Sequence, residues 1–133
     1  MARKAAKKKT ARARRPTRGK PSIQIKRVYD GSTADDGLRI LIDRLWPRGV
    51  SKDALKLDAW VKDLAPSNEL RNWYQHDPDK FAEFRRRYMA ELKGHREALA
   101  ELRKAVRGRT VTLLTATKEL DLSHGTVLRE VLG

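Results

Sequence analysis

Asp43, Arg44, Trp46 and Arg48 crowd the exit of a short apolar run, Leu38-Arg39-Ile40-Leu41-Ile42. Pro47 and Gly49 turn the chain at the same place. A buried strand needs no carboxylate, indole and two guanidinium groups at its end. Guanidinium groups grip phosphate through a two-pronged fork. An indole offers a face to a base or sugar, and a carboxylate orients cations or takes a proton. The plainer alternative is a turn locked by ion pairs with Trp46 buried beneath it. Both readings stay open at this level.

A second group follows another apolar run, Val111-Thr112-Leu113-Leu114-Thr115-Ala116-Thr117. Lys118 and Glu119 come next, and Ser123 is placed to cap a last helix with His124 in its first turn. The positive end of a helix disfavours imidazolium, so His124 reads as a neutral proton acceptor or as a histidine that only caps or packs. Asp43 and His124 are the candidate proton-handling, catalytic pair. Arg44, Trp46, Arg48 and Lys118 are the candidate ligand-binding set. Asp43 equally suits the orienting of an arginine.

Several chemistries drop out. Cysteine is absent, which removes thiol catalysis, disulfides and any zinc site built on Cys. His76, His95 and His124 are widely separated, so no metal is expected. There is no phosphate-binding Gly-x-x-x-x-Gly-Lys loop, dinucleotide glycine motif or Gly-x-Ser-x-Gly elbow, and no cofactor is implied.

The elements that must position these groups read as one small domain. Ile23–Tyr29 is β-branched and alternating, hence a first strand. Asp30–Gly37 is a loop and Leu38–Ile42 the second strand, continuous enough in apolar character to be covered on both faces. Ser51 is placed to cap a helix on which Leu57, Trp60, Val61 and Leu64 recur at helical spacing and face the core. Pro66 ends it. Ser67 starts another helix with Leu70, Trp73 and Tyr74 on one face, and Asp77-Pro78 opens a third with a stripe of Phe81, Phe84, Tyr88 and Leu92. Arg85-Arg86-Arg87 crosses that stripe as a solvated surface. Gly94 interrupts the helix, Leu99, Leu102 and Val106 resume it, and Gly108 caps it. Val111–Thr117 is the third strand, and Val127, Leu128, Val131 and Leu132 line the last helix.

Strands separated by helices lie parallel through a crossover, and ligands of open α/β sheets sit outside the carboxyl ends of the strands. The expected fold is therefore α/β, with a small, mostly parallel sheet flanked by helices. If the second and third strands are close, the two groups of polar residues share one rim, where they would take a phosphate-bearing small molecule.

Ahead of this domain lies a cationic tail. The chain has 133 residues and a formal charge of +14; residues 1–20 hold ten Lys or Arg and no acid. Residues 1–21 have no large apolar side chain after Met1, so they cannot bury enough surface to order themselves. Lys7, Lys8, Lys9, Arg12, Arg14, Arg15 and Arg18 would bind DNA or RNA through phosphates without sequence preference. The bland reading is a solubilising extension. No segment approaches the roughly 20 apolar residues of a membrane span, so no membrane partner is expected.

Lys26-Arg27-Val28-Tyr29-Asp30, the Asp-Arg-Leu-Trp-Pro-Arg-Gly run ending at Gly49, Ala65-Pro66-Ser67-Asn68-Glu69-Leu70-Arg71 and His76-Asp77-Pro78 resemble the YeaO-like group of bacterial proteins. That group belongs to domain of unknown function 488. The resemblance covers residues 23–132 and divides the chain into a tail (1–21) and a YeaO-like domain (22–133). It implies an α/β fold and a bacterial cytoplasmic setting, to which the tail adds association with the nucleoid, but it supplies no reaction. It matches Asp43 and Arg44 to the turn after the family's second strand, His124 to its last helix, and Lys118 to a subgroup lysine. Ser123-His124-Gly125 stands where the wider family carries Cys-His-Arg and the subgroup Asn-His-Ala, so only the histidine is shared. Two readings result: an anion site at the sheet rim, in an enzyme or a degenerate one, or a nucleic-acid-binding accessory protein that uses its tail without catalysis.

Overall fold

The computed structural model describes residues 20–133. The tail residues Lys7, Lys8, Lys9, Arg12, Arg14, Arg15 and Arg18 lie outside the described residues. Four strands form one sheet: β1 (Ser22–Arg27), β2 (Leu38–Leu41), β3 (Ala59–Trp60) and β4 (Thr110–Thr115). Their order is β1-β4-β2-β3, and every neighbouring pair is parallel. Five helices accompany them: α1 (Lys52–Leu55), α2 (Asn68–Tyr74), α3 (Phe81–Lys93), α4 (Arg96–Val106) and α5 (His124–Leu132). The expected α/β class holds.

Alternation along the strands divides the interior. Ile40, Ile42, Val111 and Leu113 point to one face, where they pack with Leu70, Tyr74, Phe84, Tyr88, Leu102 and Leu128 from α2 to α5. Tyr74, Phe84 and Tyr88 stack in sequence there, Tyr74 on Phe84 with ring centroids 4.1 Å apart and Phe84 on Tyr88 at 5.8 Å. Leu41 and Leu114 point the other way and meet Val28, Leu55 and Trp46 in a smaller cluster.

That second face also holds a buried polar network. Arg39, only 5% exposed, interrupts the apolar run of β2 because it is paired there with Asp36. Its Nε also donates to the Leu55 carbonyl at 2.9 Å. Asp36 accepts further from Lys26 at 3.0 Å, from the Thr33 hydroxyl and backbone amide at 3.0 Å each, and from Gln24 at 3.2 Å.

Two expectations need correction. The segment from Leu57 to Leu64 is not one helix; only Lys62–Leu64 makes a 3-10 turn. α1 stops after one turn because Lys56 takes a left-handed conformation (φ 50°), and the chain then runs alongside β2 as strand β3. The Asp58 amide donates to the Arg39 carbonyl at 2.8 Å and the Val61 amide to the Leu41 carbonyl at 3.0 Å, so sheet pairing overrides the helical spacing. Trp60 is consequently 37% exposed instead of core-facing. The first strand also ends earlier, at Arg27. The Asp30 carboxylate accepts from the Arg27 amide at 3.0 Å and folds Val28–Asp30 into a 3-10 turn.

The arginine run on α3 is surface as expected. Arg85 pairs with Glu130, and Arg86 and Arg87 with Glu83. Arg87 also covers the Trp73 ring, 4.3 Å from its centroid.

Candidate functional site

The carboxyl ends of all four strands open onto one cleft of about 430 Å³. Tyr29 reaches it from beyond β1, Asp43 to Arg48 from β2, Ala65 and Pro66 from beyond β3, and Thr115 to Thr117 from β4. α2 contributes Arg71, Asn72 and Tyr74, and the start of α5 contributes Ser123 and His124. A crevice at this end of a parallel sheet is where α/β folds hold small ligands.

Asp43 and His124 are brought together, 81 residues apart in sequence but with Asp43 Oδ1 3.5 Å from His124 Nε2. Asp43 is tied chiefly to β4. It accepts from the Thr115 hydroxyl at 2.7 Å and from the Ala116 amide at 2.8 Å. His124 Nε2 lies 2.9 Å from the Ile42 carbonyl, so it carries the proton and donates. The ring meets Tyr88 edge-on at 5.8 Å. These bonds fasten the exits of β2 and β4 to the start of α5, where the Ser123 hydroxyl accepts from the Gly125 amide at 3.2 Å.

Burial pushes the His124 imidazole below its ordinary 6.5, and the Arg71 and His76 charges push the same way. The Asp43 carboxylate and the Ile42 carbonyl pull it up but do not win. The fold therefore holds the neutral form, and on acidification the unfolded chain takes up the proton first. This contribution to stability is complete above about pH 6.5 and is drawn down as pH falls below it. In urea titrations between pH 8 and pH 5, wild type should lose stability more steeply below 6.5 than His124→Gln. Parallel curves would show that His124 carries no such linkage.

Arg44 lies under the rim. Its Nη2 reaches the Ala65 carbonyl at 3.5 Å, while its buried Nε–H has no hydrogen-bond partner among the described residues. Trp46 is half-buried, its Nε1–H donating to the Val50 carbonyl at 2.6 Å and its ring meeting Trp60 edge-on at 5.5 Å. Trp60 in turn donates to the Asp43 carbonyl at 2.7 Å. Arg48 is exposed at the mouth, and its carbonyl accepts from the Tyr29 hydroxyl at 3.1 Å. Lys118 is exposed and does not line the cleft.

Sequence reasoning passed over Arg71, His76 and Thr117. Arg71 is set by its helix, whose cap, the Ser67 hydroxyl, donates to Glu91 of α3 at 2.6 Å. His76 is turned into the cleft by two successive left-handed residues, Gln75 (φ 46°) and His76 itself (φ 56°). The signal available was the His76-Asp77-Pro78 segment of the family resemblance. The Tyr74 hydroxyl below it donates to the Leu122 carbonyl at 2.6 Å, and burial with the nearby Asp77 charge pushes that phenol up to about 12.

Residues 22–133 match the family described as the inactive DUF488-N3 subclade, and the chain belongs to that family. Over 111 residues it is 47% identical to an uncharacterised protein of Mycobacterium tuberculosis strain H37Rv, covering 84% of this chain and 93% of that protein. Over 111 residues it is 42% identical to the uncharacterised protein YeaO of Escherichia coli K12, covering 84% of this chain and 96% of YeaO. No solved structure matches. Among the described residues no helix is long and apolar enough to cross a membrane, and no group of His, Asp and Glu is arranged to hold a metal ion.

Proposed function

We propose that the rim cleft binds a small phosphate-bearing anion without turning it over. The observation that carries this reading is the gathering of three guanidinium residues, Arg44, Arg48 and Arg71, around one cleft lined by a single carboxylate among the described residues. Guanidinium groups converging on one cleft repel one another, and a bound anion offsets that repulsion while accepting their hydrogen bonds. Arg71 and Arg48 add positive charge from α2 and from the mouth. The half-buried Trp46 and exposed Tyr29 bound the outer part, where a sugar or base would sit.

Asp43 and His124 take positioning roles in this reading. The Asp43 oxygens accept from Thr115 and Ala116, and the His124 Nε2–H is given to Ile42, so the pair shapes the rim that aims Arg44. The family's description as an inactive subclade supports binding over turnover.

The test is calorimetric titration with inorganic phosphate and nucleoside monophosphates. Arg44→Gln should weaken binding about 10- to 100-fold, the worth of one or two charge-assisted hydrogen bonds. Equal affinity in wild type and Arg44→Gln would remove the site.

A second reading rests on composition. Ten of the chain's 31 basic residues fall in its first 20 positions with no acid among them, which suits phosphate-backbone contact with DNA or RNA. Removing residues 1–21 should flatten the salt dependence of binding to a mixed-sequence duplex. An unchanged slope would contradict this reading.

A further inference from the structure

We infer that the cleft selects a phosphomonoester over a phosphodiester, and that His76, with Arg71 and Thr117, grips the terminal phosphate. The inference rests on the anion reading of the cleft and adds to it the class of ligand and the residues that choose it.

Besides Arg48 at the mouth and the neutral His124, three cationic or ionisable residues from successive segments line the cleft. Arg44 comes from the exit of β2, Arg71 from α2, and His76 from the turn that follows α2. Arg71 gives one N–H to Asn68 Oδ1 at 3.2 Å and keeps the rest of its fork. Arg71 and His76 both lie near His124, whose imidazole feels the charge of each. A terminal phosphate carries a charge of about −1.5 to −2 and three acceptor oxygens, which several donors lining one cleft can share. A diester has a single charge and two free oxygens, and its second ester arm would have to pass through one of the three donors.

The one carboxylate in the cleft does not oppose this. Asp43 spends one oxygen on Thr115 and the other on the Ala116 amide, so its charge is partly neutralised and turned toward β4.

His76 is held ready at a conformational cost. Gln75 and His76 are both left-handed, and side chains other than glycine adopt that region at the expense of backbone free energy. The turn closes α2, with the Gln75 amide donating to the Arg71 carbonyl and the Asp77 amide to the Tyr74 carbonyl at 3.0 Å each, and it leaves His76 exposed with its ring 5.8 Å from that of Tyr74. Both ring nitrogens lie 3.4 Å from the Thr117 hydroxyl, which can satisfy one of them at a time. The other is left to meet a ligand, and Thr117 then supplies a hydroxyl to the same phosphate. A cleft of about 430 Å³ is near the lower end of small-molecule sites, which suits one phosphorylated group and not a strand of nucleic acid.

The test compares phenyl phosphate with diphenyl phosphate by calorimetry on the full chain. Three proteins are used: wild type, Arg44→Gln and His76→Asn. Asparagine tolerates the left-handed backbone, so the His76 variant should keep the wild-type melting temperature. Wild type should favour the monoester at least tenfold. Arg44→Gln should weaken both ligands, whereas His76→Asn should weaken the monoester about tenfold and leave the diester unchanged. Equal affinity for the two ligands in wild type, or a monoester preference that survives His76→Asn, overturns the inference while a loss in Arg44→Gln upholds the anion site. If Arg44→Gln changes neither ligand, the anion site itself fails and the inference falls with it.

Discussion

Asp36→Ala should destabilise the protein by about 3–5 kcal/mol, the loss expected when one member of a buried ion pair is removed. Asp36 is 1% exposed and Arg39 5%. Deleting the carboxylate leaves the Arg39 guanidinium with only the Leu55 carbonyl among the described residues, and it strips Lys26, Gln24 and Thr33 of their shared acceptor. Burial alone pushes the Asp36 carboxyl up. The Thr33 amide, Lys26, the Thr33 hydroxyl and Arg39 together hold it below its ordinary 3.8. The carboxylate's contribution is therefore present above about pH 3.8 and lost as pH falls below it. Chemical denaturation at pH 7 gives the size of the effect. The double variant Asp36→Ala, Arg39→Met separates the causes: it should recover much of the loss, because no unpaired charge remains buried. A cost under about 1 kcal/mol for Asp36→Ala would mean that water reaches this network and screens it.

That network explains one feature of the sequence that periodicity alone leaves unexplained. Arg39 in the middle of β2 and Thr112 in the middle of β4 break two apolar runs on the same face of the sheet. The Thr112 hydroxyl donates to the Asp36 carbonyl at 2.8 Å and accepts from Gln24 at 2.8 Å. The opposite face is apolar and carries four of the five helices. The ion-paired face fixes the start of the strands, and the Asp43 and His124 bonds fix their ends. The rim thus opens from a sheet tied at both extremities.

The strands and helices with long periodic stripes were legible because each buries its stripe against the same core. The convergence of Asp43 with His124 was legible for a different reason: parallel strands separated by helices must place their carboxyl ends together. The failures have local causes. Leu57, Trp60, Val61 and Leu64 carry a helical spacing, but the left-handed Lys56 and the free edge of β2 decide the outcome. Sequence spacing records neither. His76 was invisible as a cleft residue because its direction depends on two backbone dihedral angles, not on its place in any hydrophobic pattern. Trp46 was read as either ligand face or turn filler, and its bond to Val50 and its packing against Leu41 and Leu114 give the second role real weight.

Gly37→Ala should be more damaging than any change in the cleft, even though Gly37 bears no functional group. Its φ is +64°, a conformation that L side chains rarely adopt. A Cβ placed there would lie 2.1 Å from the carbonyl oxygen of Thr110 and 2.7 Å from its carbonyl carbon. Those are backbone atoms at the first residue of β4, so no side-chain rotation relieves the clash. Either β2 or β4 must move, and both are in register through Leu38 opposite Val111. The movement would also pull on neighbouring Asp36, whose carboxylate holds the ion-paired network. A loss of about 4–5 kcal/mol or more is expected, enough to leave much of the protein unfolded if its stability is typical of a small domain. Gly31→Ala is the matched control. Gly31 also has positive φ (+77°), but nothing among the described residues lies within 4 Å of its Cβ position, so it suffers the backbone strain without the collision. Denaturation midpoints of the two variants should differ widely. Similar midpoints would mean that the approach of Gly37 to Thr110 is not what sets the spacing of β2 and β4.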